Sequence, residues 1–294
     1  MIRTGVQQLM LGSVVKNEKS AAEALRVIKN AGYDGIELNG FMIRPTPFLV
    51  RALTKAAGMP AGNGGKLDWK ALVKDAGLSV LSVHEDLGSI KRDPQAVIRE
   101  AAEFGTSFVV ITGMYRFDMG DENAMAGLCR DLNEYGKILS EGGVRLLYHN
   151  HNTELQRVGK HRSGTYGADT AMQYLLDHTD PAFVNFEFDS YWFTEGGADA
   201  AWWMEHLGSR LKLWHINDRG SRQSGPAMTP ILKTDCCELG YGNMNLDRLA
   251  CIAGENSVEG VILETHRNFA ERSPLRSIEL SAPYLRETFG KEAK

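Results

Sequence analysis

Cysteine is scarce in this chain, and the four that occur are badly spaced for chemistry. Cys129, Cys236, Cys237 and Cys251 form no C-x-x-C or zinc-ribbon pattern, and an adjacent pair is a poor start for a disulfide framework. They read as free thiols in a reducing cytoplasm. Long apolar runs are missing as well. Nothing approaches the ~18 residues that a membrane helix needs, and the opening MIRTGVQQLMLGSVV carries no signal-peptide pattern. Charge of either sign is barely in excess. A formal net charge of -4 gives no electrostatic case for nucleic acid or an anionic membrane as a partner. Several catalytic signatures are also absent. No G-x-G-x-x-G follows the first strand, and there is no G-x-S-x-G elbow, H-E-x-x-H helix or Walker loop. Dinucleotide binding and nucleophilic serine or cysteine chemistry therefore lack support.

What is present centres on VRLLYHNHNTE, residues 144–154. Val144, Leu146, Leu147 and Tyr148 make a short, partly β-branched run after Gly142 and Gly143, which reads as a buried strand. Alternation along a strand sends His149 and His151 to the same side, and Glu154 falls in the loop that follows. Similar runs predict strands over 5–10, 35–38, 78–85, 107–112, 184–189, 211–218 and 260–264. Helical spacing fills the intervals at 45–58, 68–77, 94–105, 121–142, 168–178, 198–207, 246–253 and 274–289. A further helix opens at a Ser20/Glu23 capping box and closes at Gly32. Eight strands, each followed by a helix, predict one α/β domain spanning 1–294, a (β/α)8 TIM barrel with its active site at the C-terminal ends of the strands.

Those strand ends hold Glu37, His84, Glu85, His149, His151, Glu154, Glu187, Asp189, His215, Asp218, Glu264 and His266. Five of the eight histidines fall there, whereas His161, His178 and His206 do not. Any one histidine alone reads as an ordinary hydrogen-bonded structural residue. Polar groups gathered on one rim need partners, water, metal or substrate. A mixed Asp/Glu/His set points to one divalent metal ion, with manganese favoured and magnesium, cobalt or zinc also suited.

In their order and spacing, YDGIEL (33–38), SVH (82–84), YHNHNTEL (148–155), NFEFDSYW (185–192), WHIND (214–218), LGYGNMNL (239–246) and VILET (261–265) resemble the xylose isomerase-like barrels. These are the sugar phosphate isomerases and epimerases related to apurinic endonucleases, and the resemblance covers nearly the whole chain. It implies a metal held by Asp189, His215 and Glu264, with Glu154 expected as fourth ligand and His149 the competing assignment. It implies proton transfer beside a carbonyl through an enediolate, with His149 or His151 as acid/base and Glu37, His84, Trp192 and Asp218 binding a small carbohydrate. Trp214 and Tyr191 could also stack on a sugar ring. Two positions depart from the family pattern. Asn217 stands where many relatives carry lysine, and Tyr241 where many carry glutamate; the first weakens the case for a phosphorylated substrate.

The leading expectation is thus a cytoplasmic, metal-dependent sugar isomerase or epimerase. A lyase acting on 3-keto-glycosides or inosose-like substrates is the alternative, because it shares the first proton abstraction. An endonuclease would need a multinuclear site and a basic face, and a non-catalytic sugar-binding barrel would not need intact ligands. The 220–245 loop is long for a barrel connection and is expected to border the pocket. A homo-oligomer is left open.

Overall fold

The computed structural model describes residues 2–45, 66–112, 114, 116–159, 169–221, 225, 226 and 228–290. Its centre is a closed, all-parallel barrel of eight strands: β1 (Arg3–Gln7), β2 (Gly35–Asn39), β3 (Ser79–Glu85), β4 (Phe108–Thr112), β5 (Arg145–His149), β6 (Val184–Asp189), β7 (Leu211–Ile216) and β10 (Gly260–Leu263). Between β7 and β10, β8 (Asp218–Gly220) and β9 (Asp235–Cys237) pair as an antiparallel ribbon. The chain is therefore a (β/α)8 TIM barrel. The helix expected over 45–58 lies outside the described residues, save for its first position. Among the described residues, no helix is long and apolar enough to cross a membrane.

Helices surround the barrel. In chain order they are α1 (Glu18–Ala31), α2 (Gly40–Ile43), α3 (Trp69–Asp75), α4 (Leu87–Arg92), α5 (Pro94–Phe104), α6 (Glu122–Glu141), α7 (Ala171–His178), α8 (Ser190–Glu195), α9 (Ala200–Leu207), α10 (Leu246–Glu255) and α11 (Pro274–Phe289). Their starts follow from local capping. α1 begins earlier than the Ser20/Glu23 box suggests, because Asn17 accepts from the Ser20 amide while Ser20 Oγ accepts from the Asn17 amide. β1 ends at Gln7, earlier than expected, because the Gln7 side chain accepts from Leu9 N at 3.0 Å and turns 8–11 into a 3-10 helix. The seventh barrel strand stops at Ile216, and Asp218 belongs to the ribbon.

Strand alternation divides the barrel wall into two apolar layers. Residues facing the helices form the large core, among them Val109, Ile111, Leu146, Tyr148, Phe186, Phe188, Trp214 and Ile216. Leu81, Phe108, Val110, Leu147, Leu213 and Ile262 face inward and pack into a separate plug. The plug fits because β1, β2 and β10 carry Gly5, Gly35 and Gly260 at its level, where a Cβ on Gly5 would meet Leu81 Cδ1 at 2.5 Å. Gly5→Ala is accordingly expected to lower unfolding free energy by about 1–3 kcal/mol through overpacking. Chemical denaturation of the purified variant would check it, and unchanged stability would mean that Leu81 has room to move.

Candidate metal centre

The plug is the floor of the site. Two residues beyond inward-facing Leu147 and Leu213, the same alternation turns His149 and His215 into the barrel, and Glu264, the residue after β10, converges on them. Asp189, the last residue of β6, joins them. One donor atom from each of these four residues lies within 4.8 Å of the others, and all four residues are buried.

Local structure holds the carboxylates in place. Asp189 is the N-cap of α8, its Oδ1 accepting from Trp192 N at 2.9 Å. Asn150, just past the end of the adjacent strand β5, clasps the same residue: its Oδ1 accepts from Asp189 N at 2.9 Å and its Nδ2 donates to Asp189 O at 3.1 Å. His215 Nδ1 faces Glu264 Oε2 at 2.9 Å. Two imidazoles and two carboxylates, dry and converging, are a donor set that suits a divalent ion of intermediate hardness. Electrostatics agree with that fit. Burial pushes the Asp189 carboxyl up to about 6, despite His149 and His215 nearby. Burial opposes the charge of Glu264 too, but His266 and His215 hold its carboxyl below the usual range. Buried carboxylates of this density need compensating positive charge, which the adjoining imidazoles or a divalent cation could supply.

A second tier lies against the first. His84, His149, Glu187 and His215 form another buried group of convergent donors. Glu187 Oε2 faces His84 Nε2 at 2.8 Å, His149 Nδ1 at 3.1 Å and His215 Nε2 at 3.2 Å. Glu37 Oε2 faces His215 Nε2 at 2.6 Å and His84 Nε2 at 3.0 Å. Burial disfavours charge on His84, yet Glu37 and Glu187 push it up to about 10. The same carboxylates, with Glu264, raise His215 well above its ordinary value against the effect of burial. Glu37 and His84, expected on the substrate side, thus sit in this tier, Glu37 being wholly inaccessible. The register shifts where β2 pairs with β3 at Ile36/Glu37, where Leu81 is the extra residue on β3, so His84 and inward-facing Leu81 do not follow simple alternation.

The accessible edge is formed by His151, Trp192 and His266. The Trp192 ring lies 5.8 Å from that of His151 and 5.0 Å from that of His266. Trp192 Nε1 and His266 Nε2 are buried without a hydrogen-bond partner among the described residues. Burial, with His149 close by, pushes His151 down to about 3, so at neutral pH its imidazole is neutral.

Two expected site residues are engaged elsewhere. Glu154 is in neither convergent group. Its Oε1 accepts from Tyr148 OH at 2.7 Å, and its Oε2 accepts from His151 N at 2.8 Å and Thr153 Oγ1 at 3.0 Å. Tyr148 packs on the helix side of β5, and the 3-10 turn Thr153–Leu155 folds the carboxylate back onto it. Asp218 accepts from the amides of Arg219, Gly240, Gly242 and Met244 and organises the ribbon loop. Asn150 and the role of Glu187 escaped the motif reading. Alternation with Asp189 across β6 was the available signal for Glu187; nothing in the sequence marks Asn150.

A family model described as xylose isomerase-like TIM barrel matches residues 25–287. An inosose dehydratase of Mesomycoplasma hyopneumoniae is 30% identical over 92 residues, 31% of this chain and only 27% of that relative's length. A sugar phosphate isomerase/epimerase from Parabacteroides distasonis has the same fold, with a TM-score of 0.75 at 24% identity over 97% of this chain and 93% of that one. A xylose isomerase-like barrel from Mycobacterium smegmatis, solved in complex with magnesium, aligns with a TM-score of 0.63 at 17% identity, covering 98% and 96%.

Proposed function

The chain belongs to the xylose isomerase-like TIM-barrel family, and from that premise we propose that it is a divalent-metal-dependent isomerase or epimerase of a keto-sugar or related carbohydrate. The observation that carries this reading is the buried His149, Asp189, His215 and Glu264 group opening onto His151, Trp192 and His266. Those four residues would hold the ion, with manganese as first choice and magnesium, cobalt or zinc accepted by the same donors. When bound, the ion supplies Lewis-acid polarisation of a carbonyl oxygen.

The remaining chemistry falls to side chains. His151, at the accessible edge, would take a proton from the carbon beside that carbonyl, against the burial that disfavours its charged form. His266, across the Trp192 ring from it, is the partner that would return one. The unpartnered Trp192 Nε1 would donate to a sugar hydroxyl. His149 is a ligand rather than the base in this scheme, because its Nδ1 is already directed at Glu187. The four cysteines, none of them in a disulfide, would stay reduced in the cytoplasm, where we expect the protein to work.

Elimination from 3-keto-glycosides or inososes is the second reading, favoured by the inosose dehydratase relatives. It uses the same proton abstraction and differs in expelling a group from the neighbouring carbon. Both readings predict deuterium uptake from heavy water next to a carbonyl. The test incubates the metal-loaded protein with a panel of ketoses, 3-keto-glycosides and inososes and follows exchange by mass spectrometry. Exchange with an epimeric or isomeric product supports the first reading, and exchange with loss of a group supports the second. Metal binding without exchange across the panel would count against both.

A further inference from the structure

A ring nitrogen that donates a hydrogen bond cannot also offer its lone pair to a metal. His149 directs Nδ1 at Glu187 Oε2, 3.1 Å away, which leaves Nε2 for the group with Asp189. His215 is oriented the other way. Its Nε2 is directed at Glu37 Oε2, 2.6 Å away, and at Glu187 Oε2, 3.2 Å away, which leaves Nδ1 beside Glu264. Two histidines two barrel strands apart therefore need opposite tautomers, and the carboxylates behind them select each one.

The selecting carboxylates are themselves held. Gln7 Oε1 accepts from Leu9 N and from Asn39 Nδ2, which turns its Nε2 toward Glu37 Oε2 at 2.9 Å. Ser82 Oγ donates to the other oxygen of Glu37. His84 Nε2 lies between the two carboxylates, 3.0 Å from Glu37 and 2.8 Å from Glu187. The orientation of Glu37 is thus traceable to a backbone amide and to neighbouring strands, whereas Glu187 is held through the imidazoles on its Oε2, His84 among them. Neither acid can be a substrate contact from this depth, since both are wholly inaccessible.

We propose that Glu37 and Glu187 are positioning residues of the metal centre, fixing His215 as its Nε2–H tautomer and His149 as its Nδ1–H tautomer so that each turns a lone pair toward Asp189 and Glu264. This rests on the reading that those four residues bind the ion. Carboxylates hydrogen-bonded behind metal-binding histidines sustain affinity by about 10–100-fold. Here two strands' worth of such support converge on one ion.

The experiment uses the full-length protein with zinc chloride alone as probe. Calorimetric titration is run on the unsubstituted protein, Glu37→Gln and Glu187→Gln. Long-range 1H–15N spectra of the 15N-histidine-labelled, zinc-loaded protein locate the ring protons. The expected result is a proton on Nε2 of His215 and on Nδ1 of His149, with zinc affinity about 10–100-fold weaker in each variant. A purely structural role for the two acids would lower the melting temperature without changing affinity, and that outcome overturns the proposal. Ring protons on the opposite nitrogens overturn it as well, and this measurement needs no variant, so it decides even if both variants fail to fold. Absence of zinc binding by the unsubstituted protein would instead overturn the metal reading itself.

Discussion

A His149→Ala protein is expected to come out of purification without its divalent ion, whereas Glu154→Gln is expected to keep the ion and lose stability. The two residues competed for the same role in the YHNHNTEL motif, and their environments separate them. His149 shares a cluster with Asp189, His215 and Glu264 in which donor atoms fall within 4.8 Å. Glu154 has both oxygens occupied by Tyr148, His151 and Thr153. Structural zinc sites bind with about 10–16 kcal/mol spread over four ligands, so one ligand is worth roughly 3 kcal/mol, or at least about a hundredfold in affinity. The side-chain amide introduced by Glu154→Gln would turn NH2 protons toward donors that now find a carboxylate oxygen. One or more buried hydrogen bonds would be lost, at about 1–3 kcal/mol. Metal analysis of the two variants, with denaturant unfolding of the metal-free forms, checks both halves. Metal loss in Glu154→Gln with full retention in His149→Ala would return Glu154 to the ligand set.

Why the choice was open in the sequence follows from the strand geometry. Apolar runs made the eight barrel strands and their order legible, because each run is bounded by turns and followed by a helix. The family motif singles out Asp189, His215 and Glu264, and the fold brings the three together with His149. Beyond the last strand residue alternation has no authority. β5 ends at His149, so the common side expected for His151 rested on a strand that had already stopped. Glu154 turns back in a 3-10 helix for the same reason.

Inside the barrel the difficulty is different. Register shifts at Ile36/Glu37 and at Phe186/Glu187 move a residue of one strand relative to its neighbour, so depth along a strand does not translate into depth in the barrel. Glu37 and His84, which the resemblance implies as substrate contacts, instead lie against His215 and Glu187. Helix starts show the effect on a smaller scale. Asn17 and Gln7 redirect the backbone through side-chain hydrogen bonds that compete with the run of apolar residues.

Asp218→Ala is expected to release the ribbon loop while leaving the barrel folded. One carboxylate accepts four backbone amides: Arg219 at 2.8 Å and Met244 at 3.2 Å on Oδ1, Gly242 at 2.9 Å and Gly240 at 3.1 Å on Oδ2. A hydrogen bond to a charged acceptor contributes about 1.5–3 kcal/mol, so with four partly buried ones lost opening of the loop should become easier by more than about 3 kcal/mol, roughly a hundredfold in amide exchange. Gly242 belongs to the same device, since a Cβ there would overlap Asp218 Oδ1 and the Arg219 carbonyl. Gly242→Ala should therefore reproduce the effect with the carboxylate intact. The consequence reaches the site through β9. Cys236 Sγ contacts the Arg267 carbonyl at 3.0 Å and Asn268 Nδ2 donates to the Cys236 carbonyl at 2.8 Å, so a loosened ribbon loosens the segment that carries His266. Hydrogen exchange should rise over the described parts of 218–244 and over 265–268 in both variants, with β4 and β5 unchanged. Exchange that rises equally in β4 and β5 would mean that Asp218 supports the whole barrel rather than the rim beside Trp192.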